Sequence, residues 1–282
     1  MFVLPSIFIL AEQSHYKQMG IIESDLLNEI SGMVSGRINP EILWVHNDSG
    51  DENMIYAIGR KGNLLGKFTL TGAQNRDWED IAIGPGPGGR DFYIYIGDIG
   101  DNNAEFPVKF IYRVPEPEVP QTPVVHDSVL SDCISIGFTY PDGPRDAECL
   151  LVDPLNADIY VLSKRDTQTH VYFAPYPQPT DRIFEIQKLG TIAVAGITAG
   201  DIAPNGDFII LKNYNEVFLW QRRSKDSVFE TLCLEPERLP YVPEVQGEAI
   251  AWEFSGSGYI TTSEVVGGIP ALLIFYDFNP QK

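Results

Sequence analysis

Three glutamates, Glu79, Glu148 and Glu248, recur at one position of a repeated segment, in DWEDIAI, DAECLLV and QGEAIAW. Two aspartates, Asp48 and Asp98, close a second kind of segment, ILWVHND and YIYIGD. Carboxylates brought together repel: two of them ~6 Å apart at an effective dielectric of ~20 cost about 3 kcal/mol. A ring of them must hold protons or take a cation. Hard, oxygen-only donors without paired His or Cys point to Ca²⁺, which accepts six to eight oxygens in flexible geometry. Glu79, Glu148, Glu248, Asp98 and Asp48 are therefore the candidate metal ligands. Zinc is poorly served, because His15, His46, His126 and His170 are scattered and no HExxH motif occurs.

Glu79 and Glu148 are also the candidate catalytic carboxylates, activating water for attack on a phosphoryl or lactone centre. Lys164, Lys212, Arg145 and Glu264 are the candidates for holding the substrate. The two remaining repeats carry Ser31 and Gly200 at the glutamate position, and these gaps are expected to admit it. The pattern D-x-G-D-x-N occurs twice, from Asp48 to Asn53 and from Asp98 to Asn103. It reads either as a polar turn capping a strand or as part of a cation site, but not as an EF-hand, since position twelve of each loop lacks Glu. His46 reads as a structural histidine before a general base. No GxSxG motif or Ser-His-Asp arrangement supports nucleophilic catalysis.

The elements that must carry these groups are short strands. Apolar–aromatic pairs recur at Ile55-Tyr56, Ile111-Tyr112, Val171-Tyr172, Leu219-Trp220 and Phe275-Tyr276, in steps of 56, 60, 48 and 56 residues. The glutamate column, Ser31, Glu79, Glu148, Gly200 and Glu248, steps by 48, 69, 52 and 48. Between the columns run apolar strands ending on polar residues, at Asn47-Asp48, Asp98, Ser163-Lys164, Asn213 and Ser263-Glu264. Turn chemistry such as Asn39-Pro40, GPGPGG from Gly84, Asp153-Pro154 and Asn205-Gly206 separates them.

Four antiparallel strands repeated about every 50 residues form a propeller blade. The chain is thus predicted to be all-β, a single β-propeller domain over residues 1–282 with five four-stranded blades. The last unit lacks a fourth strand, so the segment Tyr16–Glu23 is expected to pair with Ala271–Asp277 and close the ring. Insertions near Gly100–Pro107 and Pro115–Asp127 leave a sixth, degenerate blade as the alternative. In a propeller the first strand of each blade lines the channel. Its start lies beside the end of the antiparallel second strand, so both acidic columns meet at one mouth.

Composition agrees with a soluble core-forming chain: 44% hydrophobic and 21% charged residues. A net charge of −19 excludes nucleic acid and anionic membrane as partners and favours cations. No apolar window is long enough for membrane insertion. Cys133, Cys149 and Cys233, an odd number without CxxC spacing, read as small buried hydrophobes. Trp44, Trp220 and Trp252 read as packing between blades, and Trp78 as core before mouth. MFVLPSIFILA at the start reads as an extra edge strand or the remnant of a secretion signal.

On SGMVSGRINPEILWVHNDSGD, DWEDIAIGPGPGGRDFYIYIGDIGDN with IYRVPEP, YPDGPRDAECLLVD, and QGEAIAW with TTSE, the chain resembles the esterase-like or phytase-like β-propellers. More distantly it looks like the calcium-dependent phosphotriesterase and lactonase propellers. The resemblance implies a propeller, often exported, with calcium in or near the channel, and hence an extracytoplasmic location. The phytase signature segments are missing, so phytate hydrolysis does not carry over. Fold follows from such a resemblance more securely than reaction. Two functions stand: a Ca²⁺-dependent hydrolase of a small-molecule or anionic substrate, and a non-catalytic, calcium-stabilised ligand- or protein-binding propeller.

Overall fold

The computed structural model describes residues 16–279 except 89–91, 121 and 123. The apolar start of the chain, read above as a strand or signal remnant, lies outside the described residues. Five sheets, each antiparallel through its four principal strands, are arranged as blades around a channel. From the channel outward, blade 1 comprises Ile30–Ser35, Ile42–Asn47, Met54–Gly59 and Leu64–Leu70. Blade 2 comprises Trp78–Pro85, Phe92–Asp98, Lys109–Pro115 and Ile134–Thr139. Blade 3 comprises Ala147–Val152, Ile159–Ser163, Thr169–Ala174 and Gln187–Ile192. Blade 4 comprises Ala199–Ile202, Phe208–Lys212, Val217–Gln221 and Glu237–Leu239. Blade 5 comprises Ala249–Trp252, Gly258–Thr262 and Leu272–Asp277, and Tyr16–Ile21 supplies its outer strand.

That closure follows the expected pairing, with Tyr16 opposite Tyr276 and Ile21 opposite Leu272. The five blades are those expected, and the alternative of a sixth, degenerate blade is not found among the described residues. The insertion after Pro115 instead sends His126–Leu130 back to blade 1, where it pairs in parallel with Leu64–Leu70. Phe184–Glu185, from the segment of blade 3, caps blade 2 in the same parallel sense against Ile134–Thr139. Both additions cover edges that would otherwise present unpaired backbone groups. The one helix among the described residues, Val228–Leu232, is a single capped turn, and no helix there is long and apolar enough to cross a membrane.

The repeated apolar–aromatic pair has a packing cause. Successive strand residues point to opposite faces of a blade, and five apolar clusters fill the five interfaces between blades. In each pair the aliphatic or first residue faces the following blade and the ring faces the preceding one. Ile111 packs between blades 2 and 3 while Tyr112 packs between blades 1 and 2. Val171 and Tyr172, and Leu219 and Trp220, repeat the arrangement one blade on each time. Trp44, Trp78 and Trp252 are fully buried and Trp220 nearly so, so Trp78 belongs to the core. Of the cysteines only Cys149 is buried; Cys133 is half-buried and Cys233 exposed, a correction to the common reading, and all three are thiols.

Buried carboxylates pin one blade to the next. Glu116, at the outer side of blade 2, accepts from the backbone N–H of Arg37 and Ile38, from Asn39 Nδ2 and from Trp44 Nε1, all in blade 1. Asp153 takes a two-pronged bond from Arg222 at 3.0 and 2.9 Å, tying blade 3 to blade 4. Inside the channel, Asp80 accepts from Leu150 N–H (2.9 Å) and Asp201 from Trp252 N–H (2.8 Å).

Candidate metal centre

Each inner strand starts at the mouth, and in three blades its register breaks there. The break falls between Ile30 and Gly32, between Trp78 and Asp80, and between Ala147 and Cys149. The skipped residues are Ser31, Glu79 and Glu148, the same position of the repeat. A bulge sets two residues against one and re-aims a side chain. In blades 2 and 3 it brings a glutamate to the mouth. In blade 1 it lets the Ser31 hydroxyl donate to Trp78 O at 2.9 Å. Glu248 reaches the mouth without a bulge, from the residue just before its strand.

Three groups of carboxylates result, each with ligand oxygens within 4.8 Å of one another: Glu79, Asp146 and Glu148; Asp48, Asp77 and Glu79; Asp48, Glu248 and Glu264. Glu79 and Asp48 are shared, so the groups form one band across blades 3, 2, 1 and 5. Blade 4 adds no carboxylate to these groups. Its Gly200 leaves no opening, because a Cβ there would meet Leu211 Cδ2 at 2.5 Å and Cys149 Sγ at 2.8 Å. Ser31 is likewise tied down, so protein atoms fill both expected gaps.

Two cations answer the band. Lys164 is ion-paired with Glu148, lies 3.4 Å from Glu248 and donates to Tyr214 Oη at 3.0 Å. Arg165 Nε stands 2.5 Å from Asp146 Oδ2. Glu79 has neither an ion pair nor a hydrogen bond among the described residues, although it is only 5% exposed. Burial, and then Glu148, Asp48, Asp77 and Asp146, push its carboxyl well above the usual range. Burial lifts Glu148 to about 8; Lys164 opposes this, but with Glu248 and Asp146 nearby it does not cancel it. Glu264 rises to about 7 through burial and Glu248, and Asp48 to about 6 through burial against the pull of Ser49 N–H. Burial works against the Lys164 ammonium, yet Glu148 and Glu248 hold its pKa above the ordinary lysine value. Glu79, Glu148, Glu264 and Asp48 thus hold protons more tightly than ordinary carboxylates, and a divalent ion would displace them.

The surroundings fit such an ion. Gly100 brings bare backbone against the band: a Cβ there would overlap Glu79 Oε1 and the Asp77 carboxyl. Any other residue would fill the space that the two carboxylates face. The donors are all oxygens, as Ca²⁺ prefers.

Other candidates sit elsewhere. Asp98 is buried behind the mouth, accepting from Asp77 N–H at 2.9 Å and facing Arg76 at 3.6 Å. It positions the strand that carries Asp77 and lies outside the three groups. The second aspartates of the D-x-G-D-x-N pattern serve their own turns. Asp101 accepts from Glu105 and Phe106 N–H and pairs with buried Lys109, and Asp51 accepts from Asn47 and Tyr56. Lys212 is fully buried, with its ammonium on Gly247 O beside the Tyr241 ring. Burial lowers it to about 8. Arg145 is held by Asp142 and Asp166. His46 is buried edge-on to Trp78 and pushed down to about 4 by burial, a neutral core residue.

Reading the sequence for ligands passed over Asp77 and Asp146 in favour of the glutamates, and it missed Arg165 and Tyr214. Asp77 and Asp146 had a signal, since each precedes its column glutamate by two residues and so shares its side of the strand. Arg165 and Tyr214 lie in turns after the second strands and had none.

The fold and site define a five-bladed β-propeller with an acidic mouth able to hold a metal ion. No family model matches the chain, and no curated protein matches it. Among solved structures it is similar to the PQQ-bound aldose sugar dehydrogenase of Streptomyces coelicolor, with 11% identity over 93% of this chain and 97% of that one and a TM-score of 0.49.

Proposed function

We propose that this chain binds Ca²⁺ at the acidic mouth and hydrolyses a phosphoester or lactone there. Glu79 carries the reading. It is a buried carboxylate with no partner among the described residues, set between Asp48 and Asp77 on one side and Asp146 and Glu148 on the other. Burying such a charge uncompensated is costly, and a hard divalent cation removes the cost. Asp48, Asp77, Glu79, Asp146, Glu148, Glu248 and Glu264 would supply the oxygens. A bound Ca²⁺ would polarise the scissile phosphoryl or carbonyl oxygen. Glu148, ion-paired with Lys164 at the edge of the band, is placed to take a proton from an attacking water. Glu79 is the second candidate base. The resemblance of the DWEDIA and GDIGDN stretches to esterase-like and phytase-like propellers, and the location outside the cytoplasm that goes with it, belong to this reading.

The non-catalytic alternative has one observation in its favour. Lys212 and Arg145 are engaged by protein groups, and Lys164 is held by Glu148, Glu248 and Tyr214. Calcium would then only stabilise the ring while another surface binds.

The test has two stages. Thermal unfolding in chelator and then in Ca²⁺ measures binding; at a hundredfold excess over Kd the gain is about 2.7 kcal/mol. An unmoved midpoint rejects the metal. A screen of phosphomonoesters, phosphodiesters and lactones with Ca²⁺ then separates the two functions. Turnover lost in Glu79→Gln and Glu148→Gln supports the hydrolase; calcium binding without turnover on any of them assigns the binding module.

A further inference from the structure

Blade 4 gives the band no carboxylate, yet its second strand ends on a cation that the chemistry of the mouth does not use. Lys212 is fully buried. Its ammonium donates to Gly247 O and lies 5.1 Å from the centre of the Tyr241 ring. Thr198 Oγ1 shares the same carbonyl at 3.4 Å. Glu244 and Glu248 supply the negative charge around it. An ammonium taken out of water is costly, and a hydrogen bond to a fixed partner offsets part of that cost. The partner is a single main-chain carbonyl, and it belongs to the residue just before Glu248.

That carbonyl sits in a turn of unusual shape. Gln246 has a left-handed φ of 51°. Of the non-glycine residues with positive φ among the described residues, Ala104, Ala157 and Gln246, only Gln246 lies within two positions of a carboxylate of the band. Such a conformation costs energy for a residue with a Cβ, and it persists only where the surroundings impose it. Here they are specific. Glu264 N–H donates to Gln246 O at 3.1 Å. Gly247 is walled in so closely that a Cβ would meet Tyr241 Oη at 2.8 Å and Glu244 Cβ at 2.9 Å. Lys212 fixes the carbonyl that follows. Blades 2 and 3 aim their glutamates with a bulge, whereas the inner strand of blade 5 pairs without a register shift from Ala249 to Trp252. The held turn does for Glu248 what the bulge does for Glu79 and Glu148.

We propose that Lys212 is a positioning residue: it clamps the left-handed turn at Gln246 and Gly247 and so sets Glu248 in the band. Its effect on metal affinity rests on the calcium reading of the mouth; nothing in it depends on hydrolysis. The clamp and the turn make opposed demands that substitution can separate. Glycine at 246 takes a positive φ without being held, and a β-branched residue resists it even when held. Gln246 is exposed, so either exchange leaves the core untouched.

Calcium titration of the full chain and amide hydrogen exchange of the metal-free protein test it together. Lys212→Met should weaken Ca²⁺ binding about tenfold or more, as loss of a group that orients a ligand does. Added to Glu248→Gln it should cost nothing further, because both act through one carboxylate. Gln246→Gly should restore most of the affinity lost in Lys212→Met, a rescue that a merely structural lysine would not show. Gln246→Val alone should weaken binding about fivefold or more, and it decides the matter if Lys212→Met does not fold. In the metal-free protein the Glu264 amide, which donates to Gln246 O, should exchange faster in Lys212→Met and in Gln246→Val. Additive losses with Glu248→Gln, no rescue by Gln246→Gly, or an unchanged Kd in Gln246→Val overturns the proposal. If the unaltered chain binds no Ca²⁺ the metal reading falls, and the exchange rates alone decide the clamp: unchanged protection of the Glu264 amide overturns it.

Discussion

Gly100 and Glu79 compete for one volume: a Cβ on Gly100 would overlap Oε1 of Glu79. The backbone at Gly100 is fixed by its own N–H on Asp77 O at 3.2 Å and by Lys109 Nζ on its carbonyl at 2.9 Å, so it cannot retreat. Gly100→Ala must therefore move Glu79 and Asp77. Overpacking of this kind costs about 1–3 kcal/mol, and misplacing two ligands should weaken Ca²⁺ binding about tenfold or more. Calorimetric titration checks it; an unchanged Kd would separate Gly100 from the cation site.

The raised carboxyl groups make stability depend on pH in a definite direction. Glu148 stands at about 8 and Glu264 at about 7 against an ordinary 4.5. A carboxyl raised on folding favours the folded state most below its unfolded pKa. That contribution fades as pH climbs through the folded value. The metal-free protein should thus lose stability between about pH 4.5 and 8, and Ca²⁺ should restore most at the alkaline end. Binding at pH 7 should release protons, seen as a dependence of the titration heat on the buffer's ionisation enthalpy. A metal-free midpoint that rises across that range would contradict the assignment.

Glu116 is expected to matter as much as a core side chain. Glu116→Ala strands the N–H groups of Arg37 and Ile38, Asn39 Nδ2 and the indole N–H of Trp44. At about 1–3 kcal/mol for each donor that water does not reach, the loss is about 3 kcal/mol or more. Denaturant unfolding measures it; Ca²⁺ affinity should be nearly unaffected, since Glu116 is absent from the carboxylate groups.

Lys164 competes with any cation for Glu148 and Glu248. Lys164→Met should raise Ca²⁺ affinity about tenfold while lowering the stability of the metal-free protein. Weaker calcium binding in that variant would place the ammonium on the ligand side of the site instead.

The five-blade ring was legible because two columns of residues repeat in step with packing. The Tyr112 ring and its counterparts must each reach the preceding blade, and Glu79 and Glu148 share a bulge. What escaped the sequence depends on partners distant along the chain. Glu116 looks like any acidic residue after a strand until blade 1 presents four donors to it. Lys212 resembles Lys164 in position, yet a neighbouring carbonyl and ring bury the one while carboxylates claim the other. The stretch from Pro115 to Asp127 gave no hint that the next strand crosses back to blade 1, because parallel edge pairing leaves no turn signature.

Blade 5 imposes an order on synthesis. Tyr16–Ile21 leaves the ribosome before the other strands of the ring, and its partner Leu272–Asp277 comes some 250 residues later. At roughly 5–20 residues per second, that wait lasts on the order of ten seconds or more. Blades 1 to 4 have their four principal strands before Leu272–Asp277 is made, whereas Tyr16–Ile21 must stay unpaired or be shielded until then. The slowest vulnerable species of this protein is therefore an open arc of four blades with one waiting strand. Translation rate and chaperone supply should govern its yield more than any single contact in the finished ring.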